Sequence, residues 1–229
     1  MRIDQEVTDY ARTLPVVRHL VKAGGLEFRA PVTIIVGENG TGKSTLLEAI
    51  AGAMGINPEG GTSTLMRFNY AQTESRLFEA LTLSRKENPR ISVFLRGETF
   101  FNFASEHDAA TLFSEKLHSR SHGQSVQQFL DVYLKKRGLF IFDEPESGLS
   151  GLAQLTLLGQ IYKAASNGSQ FIIATHSVIL PGIPGADIYQ IGSDGIAPIG
   201  YEDVETVAVV REFLADPYGV ADYVCELDD

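Results

Sequence analysis

The chain's 229 residues, 44% apolar and 21% charged, are enough for one sizeable core and exclude the disordered and fibrous classes. A net charge of −10 excludes a general polyanion-binding surface and leaves room only for a local basic patch. Cys225 is the sole cysteine, so no internal disulfide forms, and apolar runs such as Leu139–Phe142 and Phe171–Ala174 fall far short of the roughly 18 residues of a membrane helix. A cytoplasmic protein without direct membrane insertion is expected.

The first residues, "MRIDQEVTDYARTLPVVRHL", mix charges with apolar positions and lack the pattern of a secretory signal. Val32–Val36, "VTIIV", is a β-branched run suited to a strand buried on both faces. A glycine-rich turn follows, and then "STLLEAIA", Ser44–Ala51, reads as a helix closing near Gly52. Residues 52–61 are a loop by glycine and proline content, and "TLMRFNY" and "LFEALTL" after them read as short antiparallel strands. Ile91–Arg96 is a strand, and Phe100–His118 is irregular or weakly helical. Val126, Phe129, Leu130, Tyr133 and Leu134 recur at helical spacing, which predicts a helix over 124–136 with one face buried. "LFIF" and "FIIAT" are buried strands, and the segment between them contains a helix stopped at Gly168. Two short strands around "DIYQI" and "IAPIGY" lead to a last helix from Asp203 to Ala215, and "YVCELDD" reads as a solvated acidic tail. Strands alternating with helices in this order imply an α/β fold with a mostly parallel sheet.

Two places carry chemistry. "GENGTGKS", Gly37–Ser44, fits G-x-x-x-x-G-K-[ST] between a buried strand and a helix. Backbone N–H groups from Glu38 through Asn39, Gly40, Thr41 and Gly42 to Lys43 are placed to wrap phosphates, with the positive end of the helix behind them. Lys43 reaches the β and γ phosphates, Ser44 offers a hydroxyl to Mg²⁺, and Thr45 is placed to touch the α-phosphate. "GLFIFDEPESGLS" supplies what such a loop lacks: Asp143 to hold the metal through water, and Glu144 to accept a proton from the attacking water. "FIIATHS" puts His176 just past a strand end, where ligands bind in parallel sheets, and that location favours a sensor of the γ-phosphate. Tyr10 and Phe28 are the candidate adenine-stacking aromatics. Ser121-x-x-Gln124 before an apolar-periodic helix is a capping box, and with Gly123 leaving the backbone open, that helix start is also an anion site.

In sequence order, the P-loop, "SHGQS", "IFDEPESGLS" and "IIATHS" resemble the ABC-type ATPases over nearly the whole chain. "DEPE", "NPEGG" and "FLRGETFFN" are similar to the small stand-alone bacterial ATPases of the AAA-family, RecF/SMC-like group. The resemblance implies one ABC-type ATPase domain over 1–229: a P-loop NTPase with a mostly parallel central sheet, a small antiparallel β part and a short helical arm. The arm, about 104–137, carries the signature-like segment. The resemblance further implies that Gly37–Thr45 bind ATP, Asp143 and Ser44 hold Mg²⁺, Glu144 is the catalytic base and His176 the switch histidine. Ser121, Gly123 and Gln124 would then meet the γ-phosphate of a second subunit in an ATP-sandwich homodimer. Two positions depart from the pattern: Ser150 stands where many ABC proteins have Asp, and Arg96 and Glu98 occupy the region of the Q-loop glutamine.

Hydrolysis driving a conformational cycle on nucleic acid or a protein partner, of DNA-repair or defence type, is the expected output. The short span between Lys43 and Asp143 leaves no room for a long coiled coil. The alternatives are the ATPase subunit of a transporter with a separate permease, and a non-catalytic ATP-dependent dimerisation switch. No guanine-specifying N-K-x-D occurs, which disfavours a GTPase.

Overall fold

The computed structural model describes residues 1–58, 60–62, 75–97, 130 and 132–226. Among them, seven strands form one sheet in the order β3-β5-β6-β7-β2-β8-β9. The strands are β2 (Val32–Gly37), β3 (Gly61–Thr62), β5 (Ser92–Arg96), β6 (Leu139–Asp143), β7 (Gln170–Ala174), β8 (Asp187–Gly192) and β9 (Gly195–Pro198). The pairings β5–β6, β6–β7, β7–β2 and β2–β8 are parallel, whereas β3 and β9 close the two edges antiparallel. A separate two-stranded antiparallel ladder joins β1 (Arg2–Ile3) to β4 (Leu81–Thr82). The sheet is thus mostly parallel with a small antiparallel part, an α/β architecture as the sequence implies.

Alternation along each strand divides the interior in two. Ile34, Val93, Phe140, Phe142, Phe171 and Ile173 point to one face, where Leu157, Ile161 and Ala164 of α4 (Gly151–Ser166) and Val207 of α5 (Glu205–Ala215) cover them. The Phe140 and Phe171 rings stack at 4.9 Å between centroids, and Phe142 meets Phe171 edge-on at 5.8 Å. Ile35, Phe94, Ile141, Ile172 and Ala174 point to the other face, against Leu46, Leu47 and Ile50 of α2 (Lys43–Ala53) and Val16, Val17 and Leu20 of α1 (Pro15–Ala23).

Sequence pattern and structure agree on the central strands and on α2 and α4, and differ at three places. α1 is an unanticipated helix: Pro15 presets its first turn and Gly24 ends it in the left-handed region at φ 73°. "LFEALTL", read as strand, is a single helical turn α3 (Leu77–Ala80) followed by β4. Its Phe78 packs so closely on α2 that a Cβ on Gly52 would stand 2.9 Å from Phe78 Cβ, a close packing that the segment's own pattern does not announce. The segment from Pro217 to Glu226 is helical (α6); residues 223–226 of the expected acidic tail are exposed within it, and 227–229 lie outside the described residues. Of the predicted helix over 124–136, residues 130 and 132–133 are helical, and Leu130 and Tyr133 are buried in the first core. The segments 64–70, 100–118 and Ser121–Gln124 lie outside the described residues.

Candidate nucleotide site

Strand register places the site. Ile35 lies beside Ala174, Ala174 beside Asp143, and Asp143 beside Arg96, a row across β2, β7, β6 and β5 at their carboxyl ends. One or two residues past this row each strand turns out of the sheet, and those turns carry the P-loop, Glu144 and His176. Parallel strands thereby bring together groups separated by about a hundred residues of sequence.

The P-loop turn needs glycine at 42. Gly42 caps α2 at φ 98°, and a Cβ there would meet Val16 at 2.7 Å and Leu14 at 3.2 Å. Thr41 closes the turn by donating its hydroxyl to the Glu38 carbonyl at 2.8 Å, while Glu38, Asn39 and Gly40 are exposed at its crest. Lys43, only 5% exposed, donates to the carbonyls of Gly37 at 2.6 Å and Glu38 at 3.0 Å. Burial lowers its pKa, and the carboxylates of Glu144, Asp143 and Glu146 pull the other way.

Ser44 donates its hydroxyl to Asp143 Oδ1 at 3.2 Å, so two hard oxygen donors meet beside the ammonium. Asp143 is buried, and burial pushes its pKa up to about 6. Ser44, Arg96 and Lys43 act against that rise, and Glu144 adds to it. Arg96 ion-pairs with Glu48 at 2.7 Å and lies 3.8 Å from Asp143 Oδ2. A cation thus occupies the position where the resemblance expects a glutamine.

Glu144 leaves the strand in the left-handed region, at φ 50°, the one non-glycine residue to do so among those described. Its amide still donates to Ala174 O at 2.9 Å, and Gly97 N donates to Asp143 O at 2.9 Å. Glu144 Oε1 faces His176 Nε2 at 3.6 Å, and that nitrogen is buried with no hydrogen-bond partner among the described residues. A residue to which the sequence pattern assigns no role completes the turn: Glu146 Oε1 accepts from Thr175 Oγ1, His176 N and Ser177 N at 2.6, 2.7 and 3.0 Å.

The structure therefore brings Lys43, Ser44, Asp143, Glu144 and His176 together. Tyr10 is exposed in a 3₁₀ turn, Tyr10–Thr13, which leads through Leu14 to the underside of the P-loop, while Phe28 packs partly buried against the second core. Ser121, Gly123 and Gln124 lie outside the described residues. The site fits a phosphate chain with its divalent cation: a buried ammonium and a hydroxyl–carboxylate pair meet at the glycine turn, and beside Glu144 stands a buried imidazole nitrogen with no hydrogen-bond partner among the described residues.

Fold and sequence motifs together define an ABC-type P-loop ATPase, a nucleotide-binding class. A family model described as AAA domain matches residues 21–141, and the chain belongs to that family. A second AAA-domain model matches 124–180, and its description adds a candidate link to the AbiEii toxin of type IV toxin–antitoxin systems. Among solved structures, cbiO1 from Clostridium perfringens, part of the ABC transporter complex cbiONQ, shares the fold at 18% identity and TM-score 0.51. The match covers 94% of this chain and 95% of that one. The SMC head domain from Thermotoga maritima matches at 16% identity and TM-score 0.46, over 76% and 92% of the two chains. No curated protein matches the chain in sequence. None of the described helices is long and apolar enough to cross a membrane.

Proposed function

We propose that the chain, as one domain over 1–229, binds Mg·ATP and hydrolyses it when two copies close around two nucleotides, in the cytoplasm. The observation that carries this reading is the convergence of Lys43, the Ser44–Asp143 pair, Glu144 and His176 at the carboxyl ends of β2, β6 and β7. Residues Gly37–Thr45 would hold the phosphates, and Ser44 and Asp143 the cation. Bound there, the metal–nucleotide complex supplies an electrophilic γ-phosphoryl group. Glu144 accepts the proton of the attacking water, and its exposure to solvent on one side leaves a path for that water. His176 offers Nε2, which has no hydrogen-bond partner among the described residues, toward the γ-phosphate, and Lys43 balances the carboxylates around it.

Ser121, Gly123 and Gln124 of the arm, about 104–137, are the groups proposed to reach the partner subunit's nucleotide. The cycle would act on nucleic acid or a protein partner. The test is turnover against protein concentration: the rate rises more steeply than linearly at low concentration, and Ser121→Arg abolishes that rise while sparing ATP binding. A rate strictly proportional to protein, with no ATP-driven dimer by light scattering, refutes it. A transporter subunit would instead require a membrane permease as its partner, and a pure switch would keep its cellular function in Glu144→Gln.

A further inference from the structure

The turn after β6 reaches His176 twice. Glu144 faces the imidazole ring, and Glu146, two residues on, takes the peptide N–H groups of His176 and Ser177 together with the Thr175 hydroxyl on one carboxylate oxygen. Bonds from N–H groups to an ionised acceptor are short and among the stronger ones, and two successive amides aimed at one oxygen fix the peptide between them. The Ser177 hydroxyl extends the hold: it donates to Gln154 Oε1 at 2.7 Å, while Gln154 Nε2 donates to Leu149 O at 3.2 Å. The ring nitrogen Nε2 has no hydrogen-bond partner among the described residues and stands 3.6 Å from Glu144. With no such bond on Nε2, the place of the ring depends on how its backbone is held, and Glu146 holds that backbone by two N–H bonds.

We propose that Glu146 is a positioning residue that anchors the His176 peptide and thereby fixes the imidazole against Glu144. The catalytic part of this statement rests on the hydrolytic reading above; the geometric part does not. Glu146→Ala frees the peptide, and a displacement on the order of 1 Å at reacting groups costs about 10²-fold in rate. The expected result is a kcat about 10²-fold lower with KM for ATP nearly unchanged. Glu146→Gln, whose amide oxygen still accepts, recovers most of that loss. In a His176→Ala background, Glu146→Ala adds no further loss, because it acts through the histidine.

A second readout needs no turnover. In the nucleotide-free chain, Glu144→Gln shifts the His176 ring resonances, identified by their loss in His176→Ala; in the Glu146→Ala background the same substitution leaves them unmoved. Thr175→Val, which removes one of the three donors, serves if Glu146→Ala does not fold, and gives an intermediate loss by the same measures. The proposal is overturned if kcat is unchanged in Glu146→Ala, if the losses of the two substitutions add, or if the ring responds to Glu144→Gln equally with and without Glu146. A wild-type chain without ATPase activity would sink the hydrolytic reading alone, and the ring resonances would still decide the role of Glu146.

Discussion

Replacing Asp143 by Asn should make the nucleotide-free protein more stable while disabling it. The Asp143 carboxyl is buried beside Glu144, and its pKa is pushed from 3.8 to about 6 even with Ser44, Arg96 and Lys43 nearby. At about 1.4 kcal/mol per pH unit, that difference makes the charged side chain cost roughly 3 kcal/mol at neutral pH. Asn keeps an oxygen for the Ser44 hydroxyl and carries no charge, so most of this cost is returned. For a domain of this size, roughly 2–4 °C per kcal/mol converts it to a rise in Tm on the order of 5–10 °C. The sign follows from the folded pKa lying above the unfolded one. The destabilisation is fully present above pH 6 and fades as pH falls from about 6 towards 4, where wild type carries the proton itself. Calorimetry without nucleotide at pH 7.5 should show the gain, and at pH 4.5 most of it should be gone. An Asn variant less stable than wild type at pH 7.5, or a gain independent of pH, refutes the reasoning. The same variant should lose magnesium-dependent turnover.

Glu144→Gln should lower kcat by about 10²–10⁴-fold, as expected for loss of a general base, while the ATP-bound dimer accumulates on size exclusion. Gly97→Ala places a Cβ 2.5 Å from Glu144 O and 2.9 Å from Ser147 Cβ; the turn must shift, and kcat should fall by about 10²-fold with ATP affinity retained in a fluorescent-nucleotide titration. Phe171→Ala removes the ring that both Phe140 and Phe142 pack against, and denaturant melts should show a loss of about 3–5 kcal/mol.

What could be read from the sequence divides along a physical line. The P-loop and the "IFDEPE" strand end are local: spacing alone puts Lys43, Ser44, Asp143 and Glu144 where strand meets turn, and the structure places them there. His176 was also legible, because a buried strand that ends in a polar residue points to the binding edge of a parallel sheet. Glu146 was not. Its partners are supplied by the β6–β7 register, a long-range pairing that leaves no trace in the segment "DEPE" itself. Arg96 departs from the expected glutamine, yet its contacts arise from long-range placement, the β5–β6 register setting it beside Asp143 and α2 bringing Glu48 to it. α3 depends on packing in the same way, since one turn of "LFEA" takes its form against α2, whereas α1 carries local signals in Pro15, Gly24 and the one-sided apolar residues Val16, Val17 and Leu20.

The contact between α1 and the P-loop has a practical reach. Leu14 and Val16 fill the space under Gly42, and the segment before them is tethered by Asp9, whose carboxylate accepts from Ser75 Oγ and Arg76 N, 66 and 67 residues further along the sequence. The phosphate loop is therefore shimmed from beneath by the amino terminus. Removing Leu14 and Val16 would let the loop sag, and nucleotide affinity should fall without a single residue of the loop being cut.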